Sequence, residues 1–161
     1  MGSTISPAYF RLLFFSVFLC LLTYGFTLTN FSLSIDSEQV FYPDTSLSLG
    51  RWGTNLVRYH IFGGIIPYFT LLLSLLLLSL AAVEIAKLLR LSPMMSYVFC
   101  GLFLTFPQMA YQLVFTMQAD AVSLGFLVAT FTVEFFLKFS GENSSLRSAI
   151  YFLAASLLFM F

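Results

Sequence analysis

Charged residues divide this chain into long apolar runs. None occurs between Arg11 and Asp36, and the stretch from Leu12 to Phe31 is long enough to cross a hydrocarbon core of about 30 Å at about 1.5 Å per residue. A second uncharged run covers Ile61 to Val83, with Pro67 near its start and the Leu-dense LLLSLLLLSLAA at its centre. Leu91 to Ala119 exceeds one span, and Ala121 to Val133 is too short alone. Together these two runs read as a helical hairpin, with its turn near Thr116 to Asp120. After the polar linker KFSGENSSLR, a last apolar run begins at Ala149 and reaches Phe161. That length spans only about 20 Å as a helix, so an incomplete span is expected, in a chain that forms the N-terminal part of something larger.

The pattern predicts an all-α protein, a polytopic bundle of about five transmembrane helices in a single membrane domain over residues 1–161. The expected spans are 9–31, 63–90, 94–116, 119–138 and an incomplete 148–161, with an outer loop over 32–60. A cleaved signal peptide competes for the first run, but an Ala-x-Ala-like site is missing after LCLLTYGFTLTN and the apolar core is too long. Lys and Arg favour the cytoplasmic side of short loops. An N-terminus inside places Arg11, Lys87, Arg90, Lys138 and Arg147 in the cytoplasm and leaves Arg51 and Arg58 outside. It also leaves Asp36, Glu38, Asp44 and Asp120 on the outer face.

Composition changes the picture mainly by naming the solvent. Hydrophobic residues make up 60% of the chain and charged residues 9%, against roughly 25% charge in an average soluble domain, so lipid must cover most of the surface. Seven basic and seven acidic residues cancel, which leaves no electrostatic footprint for nucleic acid. Cys20 and Cys100 are each isolated in apolar stretches and read as small buried hydrophobes. No phosphate-cradling Gly-rich loop, Walker pattern or Rossmann pattern is present. Sequons at Asn30 and Asn143 abut the bilayer or face the cytoplasm in this topology and receive no role.

Chemistry concentrates in the first outer loop, SLSIDSEQVFYPDTSLSLGRWGTNLVRYHIFGG. It holds three of the seven acids, two of the seven bases and the only His and Trp. Asp36 and Glu38 lie two residues apart beyond the first span, where an extended segment aims both the same way. A carboxylate held there could take a proton from a sugar hydroxyl within hydrogen-bond reach; capping or solvating the helix end is the simpler role for either. LGRWGTNLVRYHIF reads as a short amphipathic helix on the outer leaflet, with Leu49, Trp52, Leu56, Tyr59 and Ile61 as interfacial contacts.

Arg51 and Arg58 would border the headgroups, suited either to grip a lipid phosphate through paired N–H donors or to snorkel. His60 stands without the second His or Cys that a metal site requires, and Trp52 and Tyr59 suit sugar stacking or an aromatic belt. Gln108, Gln112, Gln118 and Asp120 form a polar track in an apolar stretch. A carboxylate at the membrane edge is a functional candidate, although helix-to-helix hydrogen bonding accounts equally for the glutamines. Glu84 with Lys87, and Glu134 with Lys138, have the spacing of local ion pairs.

Four segments carry a resemblance: SIDSE (34–38), LGRWGTNLVRYHIF (49–62), the IPYFTLLLSLLLLSLAA helix and FTMQADAVSLGFLVA (115–129). In order and spacing they resemble the N-terminal third of the Gtr-type membrane glucosyltransferases that modify bacterial O-antigen, within the wider GT-C class of polytopic glycosyltransferases. The resemblance covers nearly the whole chain. It implies a GT-C-like fold in the bacterial inner membrane and transfer of glucose from a polyprenyl-phosphate sugar, typically undecaprenyl-phosphate glucose. The acceptor it implies is the O-antigen of lipopolysaccharide on the periplasmic face.

It also implies Asp36 as catalytic base with Glu38 beside it, Arg51 in the Gly-Arg-Trp segment, and Asp120 in the second outer turn. No metal site is expected from the residues themselves. Some polyprenyl-sugar enzymes use a divalent cation, however, and Asp36 with Glu38 would supply part of its shell. A non-catalytic membrane subunit or transporter fragment is the alternative. Transporters place ionisable groups near mid-membrane and interrupt helices with paired Gly or Pro. Here Pro107 interrupts a span and the acids sit at the edges, which favours the enzyme.

Overall fold

The computed structural model describes residues 6–30, 55–56, 60, 67–114, 119–141 and 145–159. Among them the regular structure is helical: α1 (Pro7–Thr29), α2 (Pro67–Leu88), α3 (Pro93–Leu104), α4 (Pro107–Val114), α5 (Ala119–Gly141) and α6 (Ser145–Phe159). The first four open on proline, whose fixed φ suits the first helical turn and whose missing N–H costs nothing there. Three helices, α1, α2 from Tyr68, and α5, are long and apolar enough to cross a membrane. The protein is therefore a polytopic helical bundle.

α1 shows how the bundle sorts its faces. Phe10, Phe14, Phe18, Leu22 and Phe26 recur every fourth residue and are all exposed, whereas Ser16, Cys20 and Tyr24, also four apart, are buried. Residues at i and i+4 share a helix face, so α1 turns its bulk to lipid and its small or polar side chains inward. That is the sorting a bilayer favours, because lipid is as apolar as leucine and close packing drives helix association. α2 supplies the matching surface, with Ser74, Ser79, Ala81, Ala82 and Ala86 all at 1% exposure or less. The Ser79 hydroxyl donates to the Leu75 carbonyl at 2.7 Å and lies 3.3 Å from Cys20 Sγ.

α2 is the central helix, packed by α1, α3 and α5. Tyr9 meets Glu84, and Cys20 meets Ser79, so α1 and α2 are antiparallel. The C-terminal ends of α2 and α5 wall one cavity through Glu84 and Lys87 on one side and Glu134 and Lys138 on the other. α2 and α5 therefore run parallel. α6 packs on α5, with ring pairs Phe135–Tyr151 and Phe139–Phe152.

The stretch expected as one span over 94–116 is divided into α3 and α4 by Thr105 and Phe106. Pro107 explains the break: it has no N–H for the Phe103 carbonyl, its ring clashes with that carbonyl, and it disfavours helical backbone at Phe106. Free backbone groups are tolerated at membrane depth only when protein satisfies them. The Tyr24 hydroxyl, reaching from α1, donates to the Leu104 carbonyl at 2.6 Å, while the Gly101 carbonyl, which accepts the Thr105 amide at 3.1 Å, also receives the Thr105 hydroxyl at 2.8 Å.

Candidate functional site

The helix directions give the bundle two chemically different ends. At one, Tyr9, Arg11, Glu84, Lys87 and Arg90 gather around a single cavity. The Tyr9 hydroxyl donates to Glu84 Oε1 at 2.7 Å and Lys87 Nζ donates to Glu84 Oε2 at 2.9 Å. Lys138 pairs with Glu134 at 2.7 Å on α5. Both pairs have the i+3 and i+4 spacing that makes helix neighbours. Tyr9 as a third partner, 75 residues from Glu84, has no counterpart in local spacing.

The other end carries Asp120. It sits in the first turn of α5, only 3% exposed, and its Oδ1 accepts from the Ala121 amide at 2.9 Å. A carboxylate belongs there electrostatically, since the first turn presents unpaired N–H groups and the positive end of the helix dipole. From Asp120 to Lys138 is roughly 27 Å along the axis at about 1.5 Å per residue. Among the described residues, Asp120 is the only carboxylate at this end; Glu84 and Glu134 are at the other. Ser123, one turn on, is fully buried, as is Ala119, and Leu127 a further turn on is buried as well.

α1 finishes and α2 begins at the Asp120 end, because α1 is antiparallel to both α2 and α5. The chain that joins them therefore leaves and re-enters at that end. Of the sequence-predicted site residues, Asp36, Glu38, Arg51, Trp52, Arg58 and Tyr59 lie outside the described residues. Within the expected interfacial helix, Asn55 is buried and Leu56 and His60 are exposed. Asn55 was not singled out by pattern. A polar side chain amid Trp and Leu on an interfacial stretch was its only signal.

In the polar track, Gln108 is exposed on α4, Gln112 is half-buried, and Gln118 lies outside the described residues. Among the described residues, no three His, Cys, Asp or Glu side chains are grouped so as to hold a metal ion.

This arrangement puts a buried acid at one end of the bundle and a basic cavity at the other. Comparison with known proteins identifies the chemistry. No curated protein and no solved structure matches the chain. The family model described as Glucosyl transferase GtrII matches residues 25–161, which takes in the end of α1, the whole first loop and every helix after it. The chain therefore belongs to the GtrII glucosyltransferase family.

Proposed function

We propose that the chain contributes the reacting end of a membrane glucosyltransferase that moves glucose from a polyprenyl-phosphate donor to O-antigen on the periplasmic face of the bacterial inner membrane. The observation that supports this most is topological: the loop bearing Asp36, Glu38, Arg51 and Arg58 is tethered at both ends to the face that carries buried Asp120. Polar groups for a lipid-linked sugar are thereby drawn to one membrane surface. The abundance of basic residues at the opposite end agrees with that end being cytoplasmic.

In this reading Asp36 takes the proton from the acceptor hydroxyl as the oxygen attacks the anomeric carbon. The bond from that carbon to the lipid phosphate breaks, and the departing phosphate keeps the electron pair. Arg51 and Arg58 offset the charge that grows on it. Glu38 and Asp120 are the further carboxylates of the site, and Trp52, Tyr59 and His60 line the approach of the sugar. A general base contributes about a hundredfold or more to rate.

The test is transfer of radiolabelled glucose from undecaprenyl-phosphate glucose to O-antigen, in membranes from cells expressing the intact gene or its Asp36→Asn or Asp120→Asn variant. Asp36→Asn is expected to lose about a hundredfold or more. Asp120→Asn keeps an oxygen for the Ala121 amide, so it is expected to fold and to transfer more slowly. Full activity of Asp36→Asn refutes the base assignment. Transfer from a soluble nucleotide sugar, with none from the lipid-linked donor, refutes the donor.

A further inference from the structure

The basic end holds a cavity that glucosyl transfer at the opposite face does not use. α1, α2 and α3 leave about 790 Å³ between them, walled by Arg11, Lys87 and Arg90 with one acid, Glu84. Glu84 is already engaged through both oxygens, by Tyr9 and by Lys87. Two guanidinium charges are left over, and among the described residues neither Arg11 nor Arg90 has an acidic partner. The first turns of α1 and α3 border the same space through Ser6, Ala8, Pro93 and Ser96, which adds the positive ends of two helix dipoles.

Arg90 is held there at a conformational cost. Among the described residues it is the only non-glycine residue with positive φ, at 52°. It closes α2 in a Schellman turn: the Leu91 amide donates to the Ala86 carbonyl at 3.2 Å and the Arg90 amide to the Lys87 carbonyl at 3.0 Å. Glycine is the usual residue at this position, and an L side chain in left-handed backbone costs about 1 kcal/mol. The Arg90 side chain also lines the neighbouring cavity of about 410 Å³ against α5. A guanidinium placed where glycine would relieve the backbone, lining open space with no acidic partner among the described residues, is suited to an anion from outside the chain.

The remaining walls say what the anion is attached to. Leu12, Leu91 and Tyr97 line the cavity, and Tyr97, Met94 and Phe14 are exposed on the helices that frame it. We propose that this cavity binds an anionic membrane lipid, with Arg11 and Arg90 gripping the phosphate oxygens and an acyl chain along Leu12 and Tyr97. A guanidinium fork matches phosphate geometry through two parallel N–H donors. The site stands apart from the glucosyl-transfer reading, at the other end of the bundle.

Native mass spectrometry of the full chain in mild detergent tests it, with phosphatidylglycerol, phosphatidylcholine and inorganic phosphate as probes. Phosphatidylglycerol is expected to stay bound where phosphatidylcholine is lost, with affinity falling about tenfold in Arg90→Gly and in Arg11→Gln and unchanged in Arg147→Gln, an exposed arginine on α6. Arg90→Gly relieves the backbone, so its thermal stability should equal or exceed the parent's, which separates lost binding from lost folding. Should Arg90→Gly unfold, Arg11→Gln carries the same test. Equal retention of phosphatidylcholine, undiminished binding in the variants that fold, an equal loss in Arg147→Gln, or binding of inorganic phosphate without phosphatidylglycerol would each overturn the proposal.

Discussion

Replacing Tyr24 with phenylalanine removes one oxygen atom and leaves the ring in place. The ring is 5% exposed, and the hydroxyl donates at 2.6 Å to the Leu104 carbonyl, 80 residues away in sequence. In an unbroken helix that carbonyl would accept from the Gln108 amide, but Pro107 has ended the helix before it. Tyr24→Phe therefore leaves a backbone acceptor at the end of α3 without its partner, among buried side chains. An unsatisfied buried acceptor costs about 1–3 kcal/mol, while side-chain hydrogen bonds within membrane bundles average about 0.6 and reach about 1.7 kcal/mol.

The overlap of those ranges sets the expectation at about 1–2 kcal/mol, a shift of roughly five- to thirtyfold in the folding equilibrium. Ring volume is unchanged, so no cavity term adds to it. The assay is reversible unfolding in mixed micelles of increasing SDS fraction. Thr105→Val serves as the local comparison: its hydroxyl bonds to Gly101 within the same helix on an exposed side, and a change within about 0.5 kcal/mol is expected. If Tyr24→Phe also stays within about 0.5 kcal/mol, the carbonyl has another donor and the account of how the break is satisfied is wrong.

Two further perturbations use the same unfolding assay. Ser79→Leu forces a large side chain into a position with no exposure against Cys20 and is expected to cost about 1–3 kcal/mol or more, whereas Leu22→Ala, on the 71% exposed lipid side of the same bundle, should stay within about 0.5 kcal/mol; the reverse ranking would refute the assignment of faces. Tyr9→Phe takes a donor from buried Glu84 and should destabilise by about 1 kcal/mol or more, while Glu134→Gln, which breaks the more exposed pair with Lys138, should change stability by about 0.5 kcal/mol or less.

What the sequence disclosed about this fold follows from the range over which each signal acts. The ion pairs of Glu84 with Lys87 and Glu134 with Lys138 were readable because helix geometry fixes i+3 and i+4 neighbours. Pro107 was readable as an interruption because proline acts on its own backbone. The two faces of α1, Phe10-Phe14-Phe18 against Ser16-Cys20-Tyr24, emerged only with the structure. Hydropathy alone does not separate them, since in lipid the inward face is chosen by size and polarity rather than by apolar character. Tyr9 and Tyr24, whose partners lie 75 and 80 residues away, looked like any aromatic in a span. For the site, the edge position of Asp120 was legible but its burial was not. The loop's own candidates, Asp36, Glu38, Arg51 and Arg58, rest on residue pattern and family resemblance.

The order and direction of the helices account for the two chemically distinct ends of the bundle. α3 has 12 residues, about 18 Å of helix, which is short of a hydrocarbon core of about 30 Å. It starts at the basic end beside Arg90 and ends where Tyr24 receives it, and α4 then carries the chain on toward α5. Because the chain has crossed between α2 and α5, the two helices are parallel neighbours, and the start of α5 falls at the same face as the start of α2. Asp120 and both attachments of the first loop share a membrane surface for that reason. The break at Thr105 and Phe106 thus lies on the crossing that places Asp120, and the Tyr24 hydroxyl holds that crossing to α1, whose own far end launches the loop. Loosening this one bond is expected to disturb the Asp120 end of the bundle before it disturbs the basic end, where Tyr9, Glu84 and Lys87 form a separate fastening.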